Sequence, residues 1–140
     1  MKPVRFPYRH IESGQTPSSE LAYLPITLST ANSSVDYFGL LDIGSTVNVL
    51  PYRLGLSLGL VWEQETTPVV LTGSLSRLPA FGVIVTGSVE RFSPVELAFA
   101  WTQVVDVPLI LGQVNFMMEF DVCFFRSQAI FEVAPRTRRR

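Results

Sequence analysis

One acid stands where two apolar runs meet at a glycine turn. Phe38-Gly39-Leu40-Leu41 leads into Asp42-Ile43-Gly44-Ser45, and Val47-Asn48-Val49-Leu50-Pro51 leads out. A carboxylate so placed ends a buried strand on a backbone bend, beside low-dielectric surroundings. Such surroundings disfavour the charged form and let a carboxyl hold a proton, as acid–base chemistry requires. Asp-x-Gly-Ser is also an ordinary turn, because Asp and Gly both suit turns. The apolar flanks separate this copy from most others. Asp36, Asp106 and Asp121 lack such a setting and read as solvated turn or strand-end residues.

Other chemistries find few residues. His10 is the only histidine and sits in a polar stretch with no nucleophile nearby, which argues against Ser-His or Cys-His catalysis. Cys123 is the only cysteine, so no internal disulfide forms; its apolar strand pattern reads as a small core residue. There is no His/Cys cluster for zinc and no Gly-rich phosphate loop, so no metal or cofactor is expected. A formal net charge of −1 points to neither nucleic acid nor anionic membrane. No apolar stretch reaches the roughly 18 residues of a membrane span. Met1–Pro7 lacks the apolar run of a secretory signal, and a cytoplasmic location is expected.

The elements that must position Asp42 read mostly as β. The 140 residues, 47% hydrophobic and 16% charged, suit one domain with one core. Residues 1–20, with Pro3, Pro7, Gly14 and Pro17, read as an irregular arm with a short strand at Val4–Tyr8. The basic tail, 136–140, reads as solvated. Between them, 21–135 form the domain. Tyr23–Thr30 and Val35–Leu41 read as a hairpin across Ala31-Asn32-Ser33-Ser34. Val47–Leu50 is a short buried strand. Pro51 opens a helix that Gly59 ends, although Gly55 weakens it. Val61 to Val107 reads as β throughout. Pro68–Thr72 and Arg77–Thr86 flank the turn Gly73-Ser74-Leu75-Ser76. A hairpin with such a Gly-Ser tip can act as a mobile cover or be an ordinary surface hairpin. Val89–Phe92 and Val95–Trp101 read as a hairpin around Ser93-Pro94, with Trp62 and Trp101 as core anchors. Leu109-Ile110-Leu111 is a buried triplet before Gly112. Gln113–Glu119 reads as a short helix, and Phe120–Phe125 and Ala129–Val133 as final strands.

Taken together, two stretches make the chain resemble the retropepsin-like aspartic proteases from about Phe6 to Pro135. Leu40-Leu41-Asp42-Ile43-Gly44-Ser45 is similar to the family's apolar-apolar-Asp-Thr/Ser-Gly-Ala/Ser signature, with Val49-Leu50-Pro51 after it. Leu109-Ile110-Leu111-Gly112 resembles the second element, whose strand threads the wide loop of the first. Gly112-Gln113-Val114-Asn115-Phe116, Phe120-Asp121-Val122, Phe6-Pro7-Tyr8 and Tyr23-Leu24-Pro25-Ile26 resemble bacterial, especially cyanobacterial, members. The resemblance implies an all-β fold, a closed retropepsin-like barrel lobe with a flap hairpin and one or two short helices.

It also implies an aspartic endopeptidase acting on peptide or protein substrates as a homodimer, because the chain supplies one suitable Asp and the chemistry needs two. Asp42 would be catalytic. Gly44 would approach the partner carboxylate and offer its N–H, and Ser45 would donate a further hydrogen bond to the carboxylate. The flap, about Leu71 to Arg77 with Leu71, Thr72, Gly73, Ser74 and Leu75, would cover an extended peptide. Val49, Val70, Leu71, Leu75 and Ile110 would wall apolar pockets, giving a preference for hydrophobic residues at the cut. The chain departs from the family at Ile43, where a Thr or Ser hydroxyl bonds across the dimer, and at Gln113, where the family commonly has Arg. Two other readings stand beside this one: a catalytically weak or inactive dimer that binds peptides, and an unrelated β-barrel binding domain with Asp42 as a turn residue.

Overall fold

In a computed structural model the described residues are 2–11, 20–71, 79–104 and 106–137. Ten strands and two short helices occur among them: β1 (Val4–Pro7), β2 (Tyr23–Ser29), β3 (Ser34–Leu41), β4 (Asn48–Leu50), α1 (Tyr52–Ser57), β5 (Pro68–Val69), β6 (Ala80–Ser88), β7 (Val95–Thr102), β8 (Leu109–Leu111), α2 (Phe116–Glu119), β9 (Phe120–Phe125) and β10 (Ile130–Pro135).

Seven strands form one sheet in the order β2-β3-β8-β4-β7-β6-β5, and an extra pairing of β2 with β6 closes the first six into a barrel. Closure removes the exposed edges that an open sheet would leave. Alternation dictates which side chains fill it. Along β2, Leu24, Ile26 and Leu28 are buried; Val83 and Val85 on β6 and Leu97, Phe99 and Trp101 on β7 meet them inside. Pro25 is tolerated in β2 because only β3 pairs with it there; β6 joins β2 at Thr27–Ser29. The remaining strands make a second sheet, β1-β10-β9, all antiparallel. Its inner face buries Phe6, Phe131 and Val133, with Phe6 and Phe131 stacked at 5.3 Å.

Several elements differ from the sequence reading, each for a local reason. Trp62–Gln64 is a 3-10 turn, so the region from Val61 is not β throughout. Its indole packs edge-on against Trp101 at 5.1 Å, and this anchoring overrides the strand pattern. Val89–Phe92 is not a strand. It is the turn joining β6 to β7, closed by the Phe92 N–H on the Val89 carbonyl, with Glu90 at φ 49°. Val89 and Phe92 look strand-like because both side chains tuck into the core. Of the strand expected from Pro68, Pro68–Val69 forms and Val70 and Leu71 do not continue it; of that expected from Arg77, residues 77 and 78 lie outside the described residues and Ala80–Ser88 forms the strand. Cys123 is exposed rather than a core residue, since it lies on the solvent face of β9. The helix after Pro51 forms as α1. Its Gly55 is required by packing, because a Cβ there would overlap the Trp101 indole. Gly59 follows the helix at φ 84°.

Trp101 is the largest fully buried side chain. Its ring stacks on Tyr52 at 5.7 Å, and its N–H donates to the Tyr52 carbonyl at 3.1 Å. It thereby pins α1 to β7. Trp101→Ala is expected to cost about 3–5 kcal/mol of folding stability, within the usual range for removing a buried aromatic. Equilibrium urea unfolding, followed by far-ultraviolet circular dichroism, measures it.

Candidate active site

Asp42 is the first residue beyond β3, half-buried, with its backbone N–H donating to the Leu111 carbonyl at 3.1 Å. β8 runs parallel beside β3, with Gly39, Leu40 and Leu41 opposite Leu109, Ile110 and Leu111. On its other side β8 meets β4 at Val49 and Ile110. The loop between β3 and β4 therefore wraps around the end of β8. Beyond Gly112 the contact continues. The Gln113 N–H donates to the Ser45 carbonyl at 3.0 Å, Val114 N–H to Thr46 at 2.9 Å, and Asn48 N–H to Val114 at 3.1 Å. Gly112 is required here by close approach: a Cβ would lie 2.5 Å from the Val47 carbonyl oxygen and 2.8 Å from that of Ser45.

The loop itself is a tight turn, closed by the Ser45 N–H on the Asp42 carbonyl at 3.1 Å. Gly44 offers its N–H to Asp42 Oδ1 of its own chain at 2.9 Å, rather than keeping it for a partner carboxylate. The Ser45 hydroxyl does not reach Asp42. It donates to the Val47 carbonyl at 2.7 Å, which braces the outgoing limb of the loop. Ile43 is 63% exposed. Its side chain takes no part in holding the loop, but its carbonyl accepts a 2.6 Å hydrogen bond from Gln113 Nε2. Gln113 thus secures the tip of the turn from the neighbouring motif.

Asn48 and Asn115 went unrecognised in the sequence. Asn48 is fully buried; its Oδ1 accepts the Gly112 N–H at 2.8 Å, and its Nδ2 donates to Ala98 carbonyl and Asn115 Oδ1 at 3.0 and 3.1 Å. Asn115 also accepts from the Ala98 N–H and donates to the Glu96 carbonyl. The signal for Asn48 was present: a carboxamide inside the apolar run Val47–Leu50 must be satisfied by neighbours.

The anticipated pocket residues divide. Val49, Leu71 and Ile110 come together in a small apolar cluster with Ala80 and Ala100, apart from the main core. Val70 points to solvent, 89% exposed. Pro68 and Val69 pair with Phe81 and Ala80, forming the base of the expected flap hairpin. Thr72, Gly73, Ser74 and Leu75, its expected tip, lie outside the described residues, as do 12–19 of the arm. Among the described residues no cluster of His, Cys, Asp and Glu could hold a metal, and no helix is long and apolar enough to cross a membrane.

Gln113→Leu is expected to remove the brace on Ile43 and loosen the turn without unfolding the barrel. Amide hydrogen exchange at Gly44 and Ser45 should accelerate roughly fivefold, as for the loss of a net contribution near 1 kcal/mol, with little change in the unfolding midpoint.

No protein family's sequence profile matches the chain, and no curated protein matches it in sequence. A solved structure matches in fold. The EIAV protease complexed with the inhibitor HBY-793 aligns with a TM-score of 0.56 at 13% identity, over 74% of this chain and 91% of that one. Likeness at that identity concerns the path of the backbone. Mostly β, with a closed six-stranded barrel and two short helices, the chain has a retropepsin-like fold.

Proposed function

We propose that the chain is an aspartic endopeptidase that works as a homodimer, each copy contributing Asp42. The observation that carries this reading is the position of Asp42: a half-buried carboxylate at the mouth of a loop locked around β8, with one oxygen held by the Gly44 N–H. In a retropepsin-like fold this supports a reading in which each copy brings one acid, Asp42, on a turn braced by main-chain bonds.

Hydrolysis by carboxylates needs two of them about one water. Two carboxyls in hydrogen-bond contact cannot both ionise cheaply, so the pair shares one proton. The ionised Asp42 takes a proton from water as its oxygen attacks the scissile carbonyl carbon. The protonated Asp42 of the other copy gives its proton to the carbonyl oxygen. Collapse of the tetrahedral diol then returns a proton to the departing amine nitrogen, and the C–N bond breaks. The twofold relation makes the two acids interchangeable. The substrate would lie extended, adding a strand under the hairpin based on β5 and β6. The cluster of Val49, Leu71 and Ile110 supports apolar side chains beside the cut. A cytoplasmic setting belongs to the same reading.

Ile43 favours a second reading, a dimer of the same fold that binds peptides with little or no hydrolysis. An exposed β-branched hydrocarbon stands where a hydroxyl would donate across the dimer. Losing one such donor costs about 1–3 kcal/mol where its acceptor stays buried.

Incubation with a mixed peptide library across mildly acidic to neutral pH separates the two. On the protease reading the parent cleaves beside hydrophobic residues, a statine-type inhibitor blocks it, and Asp42→Ala abolishes it. Ile43→Thr is expected to raise the rate roughly tenfold, equivalent to about 1.4 kcal/mol of transition-state stabilisation. Cleavage only in Ile43→Thr would favour the second reading. Cleavage that persists in Asp42→Ala would end the first.

A further inference from the structure

The outer wall of the barrel is not uniformly covered. β3 pairs with β2 from Tyr23 to Ser29, but β6 joins β2 only at Thr27–Ser29. Past Ser88 the chain turns away toward β7, so the stretch of β2 around Pro25 is flanked by β3 alone. Proline suits that position because it has no N–H to leave unpaired. At this step lies a groove of about 390 Å³, formed by β2, β3, the end of β6 and the turn after it.

Register fixes which side chains line it. Phe38 stands opposite Pro25, and Asp36, Thr27 and Ser88 form one row across three strands. All five lie on the face turned away from buried Leu24, Ile26 and Leu28. Glu90 adds a second carboxylate from the turn after β6.

An aromatic ring and a proline thus share a groove with two acids. Phe38 is 37% exposed. Asp36 and Glu90 are exposed, and neither has an ion-pair partner among the described residues, where the ion pairs are Arg5 with Glu132 and Arg136 with Glu119. The Thr27 hydroxyl donates to Asp36 Oδ1 at 2.7 Å and orients the carboxylate. Arg9 lies over the Phe38 ring, 5.2 Å from its centroid, which shows that this ring accepts a guanidinium. Neither Arg9 nor Arg91, which follows Glu90 in the chain, lines the groove.

Charge complementarity asks for a cation here, and the aromatic wall narrows the choice. A guanidinium is planar, stacks on aromatic rings and offers several donors in a fixed fork, whereas an ammonium is a strongly hydrated point charge. The volume falls at the small end of ligand sites, which run to about 300–1,000 Å³, and suits one long side chain with the backbone beside it.

We propose that the groove docks an arginine side chain on an extended segment of a partner protein. The guanidinium pairs with Asp36 and Glu90, and the aliphatic stem lies on Phe38 and Pro25. Asp42 is four residues beyond Phe38 and six beyond Asp36, roughly 13–20 Å along the strand. The site is therefore separate from the Asp42 turn, and the proposal does not rest on the protease reading.

The test is a nuclear magnetic resonance titration of the full chain, labelled with nitrogen-15, with the blocked pentapeptide acetyl-Ser-Gly-Arg-Gly-Ser-amide. Saturable shifts are expected at the amides of Thr27, Asp36, Phe38, Ser88 and Glu90, and not at Ile43, Gly44 and Ser45. A citrulline peptide, of the same shape without the charge, should bind roughly tenfold more weakly, as for the loss of a charge-assisted hydrogen bond. Asp36→Asn and Glu90→Gln should each raise Kd by about the same factor. Both positions are exposed and both changes keep the side chain's size, so circular dichroism should show the barrel intact. Added salt should weaken binding, because both carboxylates are exposed. An absence of saturable shifts, equal binding by the citrulline peptide, unaltered binding in both variants, or shifts confined to the Asp42 turn would overturn the proposal. Shifts in the amides of residues 136–140 on Asp36→Asn, with no peptide present, would make the occupant the chain's own basic tail and overturn the assignment to a partner.

Discussion

The wrap of the Asp42–Asn48 loop around β8 depends on one buried carboxamide. Asn48 has no access to water, and its side chain answers three demands at once: the Gly112 N–H, the Ala98 carbonyl and Asn115. Each of these groups left unmet in the interior would cost about 1–3 kcal/mol. Together they tie the loop, the second motif, β7 and the start of α2 into one unit. Asn115 shows how completely side chains serve this purpose. It precedes α2 yet makes no capping bond, since its carboxamide is committed to Asn48, Ala98 and Glu96.

A network of this kind separates the rigidity of the turn from the freedom of its acid. Main-chain bonds from Asp42, Ser45, Gln113 and Val114 fix the backbone, and the Ser45 hydroxyl is used up on Val47. Among the described residues the Asp42 carboxylate keeps one hydrogen bond, from Gly44. Beside it Ile43 and Gly44 are both exposed, and Asp42 itself is half-buried. On the proposed function, such an arrangement would suit a group that meets a water and a second carboxylate, on a scaffold already preorganised.

The barrel was legible because its physics is written locally. Alternation in Tyr23–Ser29, the apolar triplet Leu109–Leu111 and the Asp-x-Gly turn each announce themselves over a few residues. The misread segments are those where a distant partner decides. Val89 and Phe92 are apolar because the core lies beneath their turn, and Trp62 leaves the strand pattern to meet Trp101. Cys123 has apolar neighbours on both sides, but its register opposite Glu132 puts it on the face turned away from buried Phe131 and Val133. Ser45 and Gln113 fall in the same class. Which acceptor a hydroxyl or carboxamide chooses depends on backbone folded back from elsewhere, here Val47 and Ile43.

Ile43 then poses an energetic question that the geometry frames. At 63% exposure it has most of its side chain still to bury. In the proposed dimer, covering that surface contributes about 1–2 kcal/mol per copy. A hydroxyl hydrogen bond contributes net about 0.5–1.5 kcal/mol. The two are comparable in strength and unlike in kind: a hydrogen bond fixes direction, whereas an apolar contact tolerates rotation and sliding. In the proposed dimer, an apolar contact in place of a hydroxyl would leave affinity nearly level while removing an orienting constraint from the Asp42 turn. Orientation must then come from groups that do have direction. Gln113 supplies one bond of that sort inside each copy, on the Ile43 carbonyl itself.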